Sequence, residues 1–418
     1  MRYRVANLTF DTPLLSGDAL RERFLALDAF LLAQQSIWRE KPFVQQQLNW
    51  EASYPKLASW LRVRSLADAE ACHGEPGSIL APYPFTDWAQ QAEQLCQIGS
   101  FSYAALHQRP LRMQSGIAER KWLQIEAFAS AVHSGVEQSF TDTKQWLDWC
   151  AGKGHLGRYL AWPDASLQCL EFNPELVNSG HAISQKYLSH AQHILCDVMS
   201  SASAAALQNS DTVVALHACG DLHTHLVRQA GGQQTAAVAL APCCYNRTQA
   251  ELYQPLSTAG QASALQLDRE DLGLPLTATV TASARERRLR DQSMAWRLAF
   301  DMLQRELRGV HEYLPTPSLS ATWFNKSFAQ WCVDLAELKD LPAVPEQNWA
   351  ELEAVGWQRL AQVRNLELVR GLFRRPLELW LVLDQALFLQ EQGFNVELGE
   401  FCSPELTPRN LLLLARRG

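Results

Sequence analysis

One stretch constrains this chain more than any other: Asp148-Trp149-Cys150-Ala151-Gly152-Lys153-Gly154-His155-Leu156-Gly157. A short apolar run through Trp146 and Leu147 precedes it and predicts a strand. The residues from Gly157 to Trp162 predict a short helix stopped by Pro163. The glycines therefore stand where a strand turns into a helix. Such a turn calls for residues without a Cβ, because the backbone bends tightly and a ligand comes close to it. Asp148 sets this loop apart from a plain phosphate cradle, which needs only unpaired N–H groups. An anionic side chain at the mouth suits a cationic or amino-bearing ligand.

Two further acids follow in order. Ser166 to Phe172 predicts a second strand, with Glu171 at its end. An acid about 20 residues past a Gly-rich turn is placed to accept from the hydroxyls of a ribose. His193 to Asp197 predicts a third strand, and Asp197 is placed to accept from the exocyclic amine of an adenine. Glycine loop, ribose acid and adenine acid describe an adenosine ligand with no required phosphate, and S-adenosylmethionine fits. The expected cofactor contacts are Asp148, Cys150, Ala151, Gly152, Gly154, Gly157, Glu171, Phe172, Asp197, Val198, His217 and Ala218.

Residues from about 110 to 245, with the last stretch from 393 to 418, resemble a class I S-adenosylmethionine-dependent methyltransferase. Within that superfamily, Leu216-His217-Ala218-Cys219-Gly220-Asp221-Leu222 and Pro242-Cys243-Cys244-Tyr245 resemble one branch. It holds the tRNA ribose 2′-O-methyltransferases with a paired-cysteine strand end and several uncharacterised methyltransferase-like proteins. Arg112, Met113 and Lys121 resemble its lead-in, and Thr407-Pro408-Arg409-Asn410-Leu411 resembles its last strand entry. The resemblance implies a Rossmann-like α/β fold, a seven-stranded class I sheet closed by an antiparallel pair, and methyl transfer.

At 418 residues the chain is long enough for two or three domains. Residues 1–108 read as a mostly helical N-terminal region. Asp18 to Leu31 begins an amphipathic run there, and Tyr54 to Leu66 forms another. Trp38, Trp50, Trp60 and Trp88 offer π-faces to bases, but core packing is the simpler role. The methyltransferase core is expected over 109–246 and 393–418, where short apolar strands alternate with helical stretches.

Between them, 247–392 is too long for a bare loop and reads as a helical insertion, a candidate substrate-binding subdomain. Within it, Arg285 to Arg308, Trp349 to Gly371 and Pro376 to Gln392 read as helices. Leu265 to Asp268 and Ala278 to Thr281 are candidate short strands, and Asn395 to Phe401 and Leu411 to Ala415 form the closing pair.

No apolar leader follows Met1, and the densest apolar run, Leu377 to Leu389, is interrupted by Glu378 and Asp384. Neither a signal peptide nor a membrane span is expected. Ten cysteines outside any small-secreted-domain pattern fit a reducing cytoplasm.

The reaction is expected at the ends of two strands, Thr212 to His217 and Thr235 to Ala241. Methyl transfer from a sulfonium is an in-line displacement, so aligning the nucleophile supplies much of the rate. His217 and Asp221 are candidate bases, although His217 suits a backbone hydrogen bond and Asp221 suits a helix cap. Tyr245 is a candidate for stacking on or orienting a flat acceptor.

Cys243 and Cys244 have three readings. One is a thiolate nucleophile on a pyrimidine. Another is zinc ligation with His217, Cys219, His223 or His225, which lacks the familiar paired CxxC spacing. The third is a set of small residues shaping the pocket floor. No metal is expected.

The acceptor reading favours RNA, with no DNA partner and no membrane. Arg285, Arg287, Arg288 and Arg290 cluster, followed by Arg297, Arg305, Arg308, Arg364, Arg370, Arg374 and Arg375. Arginine pairs bidentately with phosphate. Against this stand a net charge of −7 and the acids Glu286, Asp291 and Glu306 beside the cluster. The alternatives are a protein or small-molecule acceptor, and a scaffold that binds the cofactor without turnover.

Overall fold

A computed structural model describes residues 12–104, 109–134, 143–232, 235–278 and 284–417. Eight strands form one sheet: β1 (Leu15–Ser16), β2 (Gln145–Trp149), β3 (Ser166–Glu171), β4 (Gln192–Leu195), β5 (Thr212–Cys219), β6 (Ala237–Cys243), β7 (Phe394–Glu400) and β8 (Leu411–Arg417). Their order is β1-β7-β8-β6-β5-β2-β3-β4. Strands β2 to β6 run parallel, and β8 is antiparallel to both β6 and β7.

The expected seven strands are all present, and the eighth corrects the count. Leu15 and Ser16 pair antiparallel with Leu398 and Glu397 on the outer edge of β7. Two residues carry no alternation for a sequence reading to detect, yet they cover an edge whose backbone groups would otherwise lie open. Gly99 lets this strand in. A Cβ there would lie 2.3 Å from the Thr12 carbonyl oxygen, and its N–H donates to the Pro13 carbonyl.

Buried parallel strands need apolar residues on both faces. Val213, Val214 and Ala215 of β5 and Val238, Ala239 and Leu240 of β6 are fully buried accordingly. One cluster joins Trp122, Ile125 and Phe128 of helix Glu119–Ser134 to Leu156, Tyr159 and Leu160 of helix His155–Ala161, with Trp146, Leu167 and Val214 of the sheet. Helix Arg374–Glu391 packs on β7, on β8 and on helix Asp221–Gly232.

The chain divides into two compact units whose boundaries differ from the expected 108, 246 and 393. The sheet unit combines Met1–Leu32, Gln94–Val280 and Arg374–Gly418; the other combines Ala33–Glu93 with Thr281–Phe373. The expected insertion therefore gives up both ends to the sheet unit. At one end, helix Arg374–Glu391 is buried nearly all round, from Leu377 through Leu387, and such a helix must be covered on every side. At the other, Asp384 fixes 253–257 by accepting from the Leu256 and Ser257 N–H groups and the Tyr253 hydroxyl. The strand weighed at 265–268 reduces to one antiparallel bridge between Leu252 and Asp268, and that at 278–281 falls almost wholly outside the described residues.

The second unit contains helices Ala284–Arg308, Phe328–Leu338 and Trp349–Gly371. Trp296, Phe300, Phe328, Trp331 and Leu335 make its core. Gly356 allows two long helices to touch, since a Cβ there would sit 2.5 Å from the Ala295 carbonyl oxygen. Trp38, Trp50 and Trp88 are buried, so packing is their role.

Candidate active site

The glycine loop starts where Cys150, with φ 56°, turns the chain out of β2. The Ala151 N–H donates to the Leu170 carbonyl at 2.9 Å, and the Gly154 N–H donates to the Ala151 carbonyl at 2.8 Å. Only one of the three expected glycines faces open space. A Cβ on Gly152 would meet nothing within 4 Å, whereas one on Gly154 would lie 2.7 Å from His193 and one on Gly157 2.6 Å from Leu167. Gly154 and Gly157 are thus packing glycines that seat helix His155–Ala161 against β2 and β3.

Glu171 reaches across from the end of β3. One carboxylate oxygen accepts the Gly152 N–H at 2.8 Å and the other accepts the Asn173 N–H at 2.9 Å. A carboxylate has about four lone-pair sites, so two backbone bonds orient it and leave acceptor capacity toward the loop. Phe172, next to it, is 73% exposed.

Asp148 does not stand at the mouth. It lies within β2, 3% exposed, with one oxygen accepting the Gly157 N–H at 2.9 Å. Burial pushes its carboxyl up to about 7, against the pull of that N–H and of Arg158. Its observed part is to brace the first turn of the following helix.

A buried arginine completes the loop. Arg158 donates to the Lys153 carbonyl at 2.6 Å and to the Ser184 hydroxyl at 3.1 Å. His193 contacts the same hydroxyl at 2.8 Å. Burial, reinforced by Arg158, holds both His155 and His193 down to about 4, so both rings are neutral. Sequence reasoning missed this network. Its only signal was a charged residue inside a helix otherwise predicted to be apolar.

Beyond β4, Asp197 accepts the Met199 N–H at 2.9 Å. A cleft of about 400 Å³ lies beside it, with Leu170, Ile194, Leu195, Cys196 and Ala206 among its walls. Apolar side chains with one carboxylate and the polar Gln168, Ser200 and Asn209 suit a flat ring bearing an amine. Val198 and Ala218 are buried.

The ends of β5 and β6 are built by side chains across the ladder. The β5–β6 register shifts between Leu216 and Cys219, and His217 takes φ 65° there. Such a bulge re-aims a side chain. His217 Nε2 lies 3.1 Å from Gln124 Oε1, while Gln124 Nε2 donates to the Leu406 carbonyl at 3.0 Å. The carbonyl fixes the Gln124 amide, so His217 carries its proton on Nε2 and leaves Nδ1 as an acceptor. Burial holds this ring down to about 4.

Asp221 begins helix Asp221–Gly232 and accepts the Gln249 N–H at 2.8 Å. It braces the loop after β6. Gly220, with φ 55°, makes that approach possible, since a Cβ there would fall 1.8 Å from the Arg247 carbonyl oxygen. Tyr245 is 4% exposed and meets His223 edge-on, with ring centroids 5.6 Å apart. It is therefore walled in, and stacking on a flat acceptor is not its observed arrangement.

Cys219 and Cys243 are opposed in the ladder, with sulfurs 3.3 Å apart. Hydrogen bonding between them lowers the Cys219 thiol, while the same contact and burial raise Cys243. The Cys244 thiol is raised by burial. The sulfurs of Cys219, Cys243 and Cys244 all lie within 4.8 Å of one another. The catalytic candidates included Cys243 and Cys244 but not Cys219, which entered only the zinc reading and whose place is set by strand register.

Residues 120–251 match a family model described as a methyltransferase domain. That span contains the glycine loop, both strand-end acids and the thiol cluster. Among solved structures, the plantazolicin methyltransferase BpumL, in complex with a pentazolic desmethylPZN analog and SAH, aligns at 15% identity. The alignment covers 54% of this chain and 75% of that one, with a TM-score of 0.23.

A Galdieria sulphuraria protein, a candidate sarcosine dimethylglycine methyltransferase, aligns at 12% identity. It covers 76% of this chain and 91% of that one, with a TM-score of 0.25. Superpositions this loose carry no weight for substrate. The methyltransferase-domain match falls on a sheet whose strand ends carry a glycine loop and two acids. The chain is an S-adenosylmethionine-dependent methyltransferase.

Proposed function

We propose that the chain methylates RNA, with the cofactor along the ends of β2, β3 and β4 and the acceptor at the ends of β5 and β6. Bound S-adenosylmethionine supplies an already activated methyl group. The residues around it fit the group: Gly152 leaves open space beside the loop, and Glu171 is pre-oriented by two N–H donors. Asp197 borders a cleft of mixed apolar and polar lining suited to an adenine. His217, neutral with Nδ1 as its acceptor, is the candidate base, and Gln124 positions it.

One observation carries the RNA reading. Helix Ala284–Arg308 begins with Arg285, Arg287 and Arg288, all exposed. Cations at a helix N-terminus oppose the helix dipole, so an anion beside them is stabilising, with Glu286 in the same turn offsetting part of their charge. A phosphate backbone fits. The strand ends His217 to Asp221 and Pro242 to Tyr245, similar to those of tRNA ribose 2′-O-methyltransferases, support the same class. Among the described residues no helix is long and apolar enough to cross a membrane, and the ten cysteines are free, which supports a reducing cytoplasm.

A second reading, a protein or small-molecule acceptor, is favoured by the remaining arginines. Arg290 and Arg364 share Asp291, Arg305 pairs with Asp301, Arg370 with Glu367 and Arg375 with Glu378. They are committed inside the protein. Methyl-labelled S-adenosylmethionine, incubated with the protein and an extract of cells lacking it, separates the readings. Nuclease-sensitive label in RNA is the expected result. Label in protein or small molecules overturns the RNA reading, and no label despite cofactor binding points to a scaffold.

A further inference from the structure

We propose that Cys219, Cys243 and Cys244 form a three-thiolate site for a thiophilic divalent metal ion, zinc being the ion that fits, with a fourth position open. The proposal does not depend on which acceptor is methylated. A tetrahedral zinc with bonds of about 2.3 Å to sulfur needs sulfurs roughly 3.8 Å apart. The three thiols already lie within 4.8 Å of one another, so small side-chain rotations bring them to that geometry.

The backbone has been bent to gather them. Cys219 faces Cys243 as a Cα partner across the parallel ladder. In a regular strand Cys244 would turn its side chain to the opposite face from Cys243. Instead it takes φ 46°, a left-handed conformation that a non-glycine residue adopts at a cost of about 1–2 kcal/mol, and its sulfur joins the other two. Such strain persists where the surroundings enforce it, commonly at ligand sites. Three backbone bonds do so here: Arg247 N–H to the Cys244 carbonyl at 3.0 Å, Asp221 N–H to the Arg247 carbonyl at 3.0 Å, and Gly220 N–H to the Cys243 carbonyl at 3.3 Å.

One polar atom of each neighbouring polar side chain is engaged elsewhere, and only the three thiols form a group within metal-ligand reach among the described residues. His217 Nε2 meets Gln124, His223 Nδ1 meets the Ala218 carbonyl at 3.1 Å, and the Asp221 carboxylate accepts from Gln249. Cys243 is buried, while Cys219 and Cys244 are partly exposed, so the cluster is reached from the surface. Three protein ligands with one open position is the arrangement of zinc sites that take a water or a substrate atom. Solution thiols are soft ligands of the same class.

The test uses the full chain, purified with reductant, stripped by a chelator and titrated with Co²⁺. The expected result is one equivalent of Co²⁺ bound, with near-ultraviolet thiolate-to-cobalt absorption and tetrahedral visible bands, displaced by one equivalent of Zn²⁺. Cys219→Ser and Cys244→Ser should each lower affinity by more than the ~10–100-fold that outer-shell changes cost. Cys72→Ser, in the other unit, should leave it unchanged. Cys243→Ser sits deeper, so the two partly exposed positions and the wild-type titration carry the test if that variant fails to fold. Absence of the charge-transfer band in wild type overturns the proposal. So does its survival in Cys219→Ser/Cys244→Ser.

Discussion

The two halves of the sheet are built by different means. Around β2, β3 and β4, carboxylates and carbonyls hold backbone N–H groups: Asp148 holds Gly157, Glu171 holds Gly152 and Asn173, and Asp197 holds Met199. Around β5 and β6, where Asp221 likewise holds the Gln249 N–H, side chains also meet side chains: His217 with Gln124 of a helix, and Cys219 with Cys243 across the ladder. The first half is a shaped backbone surface that suits one invariant ligand. The second is a set of adjustable groups, which suits an acceptor and the chemistry done on it.

The sharpest way to break this comparison is a pair of glycine substitutions. Gly220→Ala drives a Cβ into the Arg247 carbonyl and should cost more than about 4 kcal/mol in denaturant unfolding. Gly152→Ala meets no atom and should cost only the left-handed strain, about 1–2 kcal/mol. Equal costs would mean that the two ends are braced alike.

Next is Asp148. Its folded carboxyl keeps a proton until about pH 7, against an ordinary value of 3.8. The folded state then binds more protons than the unfolded one over that window. The stability contribution is full below about pH 4 and is lost as pH rises through 7. Asp148→Asn removes this dependence. Relative to the variant, wild type should lose of the order of 2–4 kcal/mol between pH 4 and pH 8, at about 1.4 kcal/mol per pKa unit. Parallel pH–stability curves for the two proteins would sink the assignment.

Glu171→Ala should weaken S-adenosylmethionine binding by about 10–100-fold, the scale of charge-assisted hydrogen bonds at roughly 1.5–3 kcal/mol. Cys244→Ser should leave that affinity unchanged, and calorimetry reads both. An unchanged affinity in Glu171→Ala removes the ribose assignment. The smallest effect belongs to Tyr245→Phe. The Tyr245 hydroxyl is buried without a hydrogen-bond partner among the described residues, so its removal should shift stability by less than about 1 kcal/mol. Turnover should persist, and its loss would return Tyr245 to the acceptor side.

The strands and their strand-end acids were legible because each is local. In β2, β3 and β4 a strand of four to six residues lies next in the chain to a glycine turn or an acid. Helix Trp349–Gly371 was read to the residue, since Asn348 caps it through the Glu351 N–H. What escaped was set by register and packing. Gln124 meets His217 from a distant helix, and Asp148 turns inward because Gly157 closes over it. The absence of CxxC spacing argued against a thiol cluster, but a parallel ladder brings together what linear spacing separates.

The sheet order has a consequence for how the chain is made. β8 lies between β6 and β7, in the interior of the sheet, although every other strand precedes it in sequence. A growing chain therefore carries the edge of β6 unpaired while everything between Cys243 and Leu411 is synthesised. Unpaired edges of parallel sheets invite association with other chains. Emergence of Leu411–Arg417, rather than of the glycine loop, is the step at which this sheet closes.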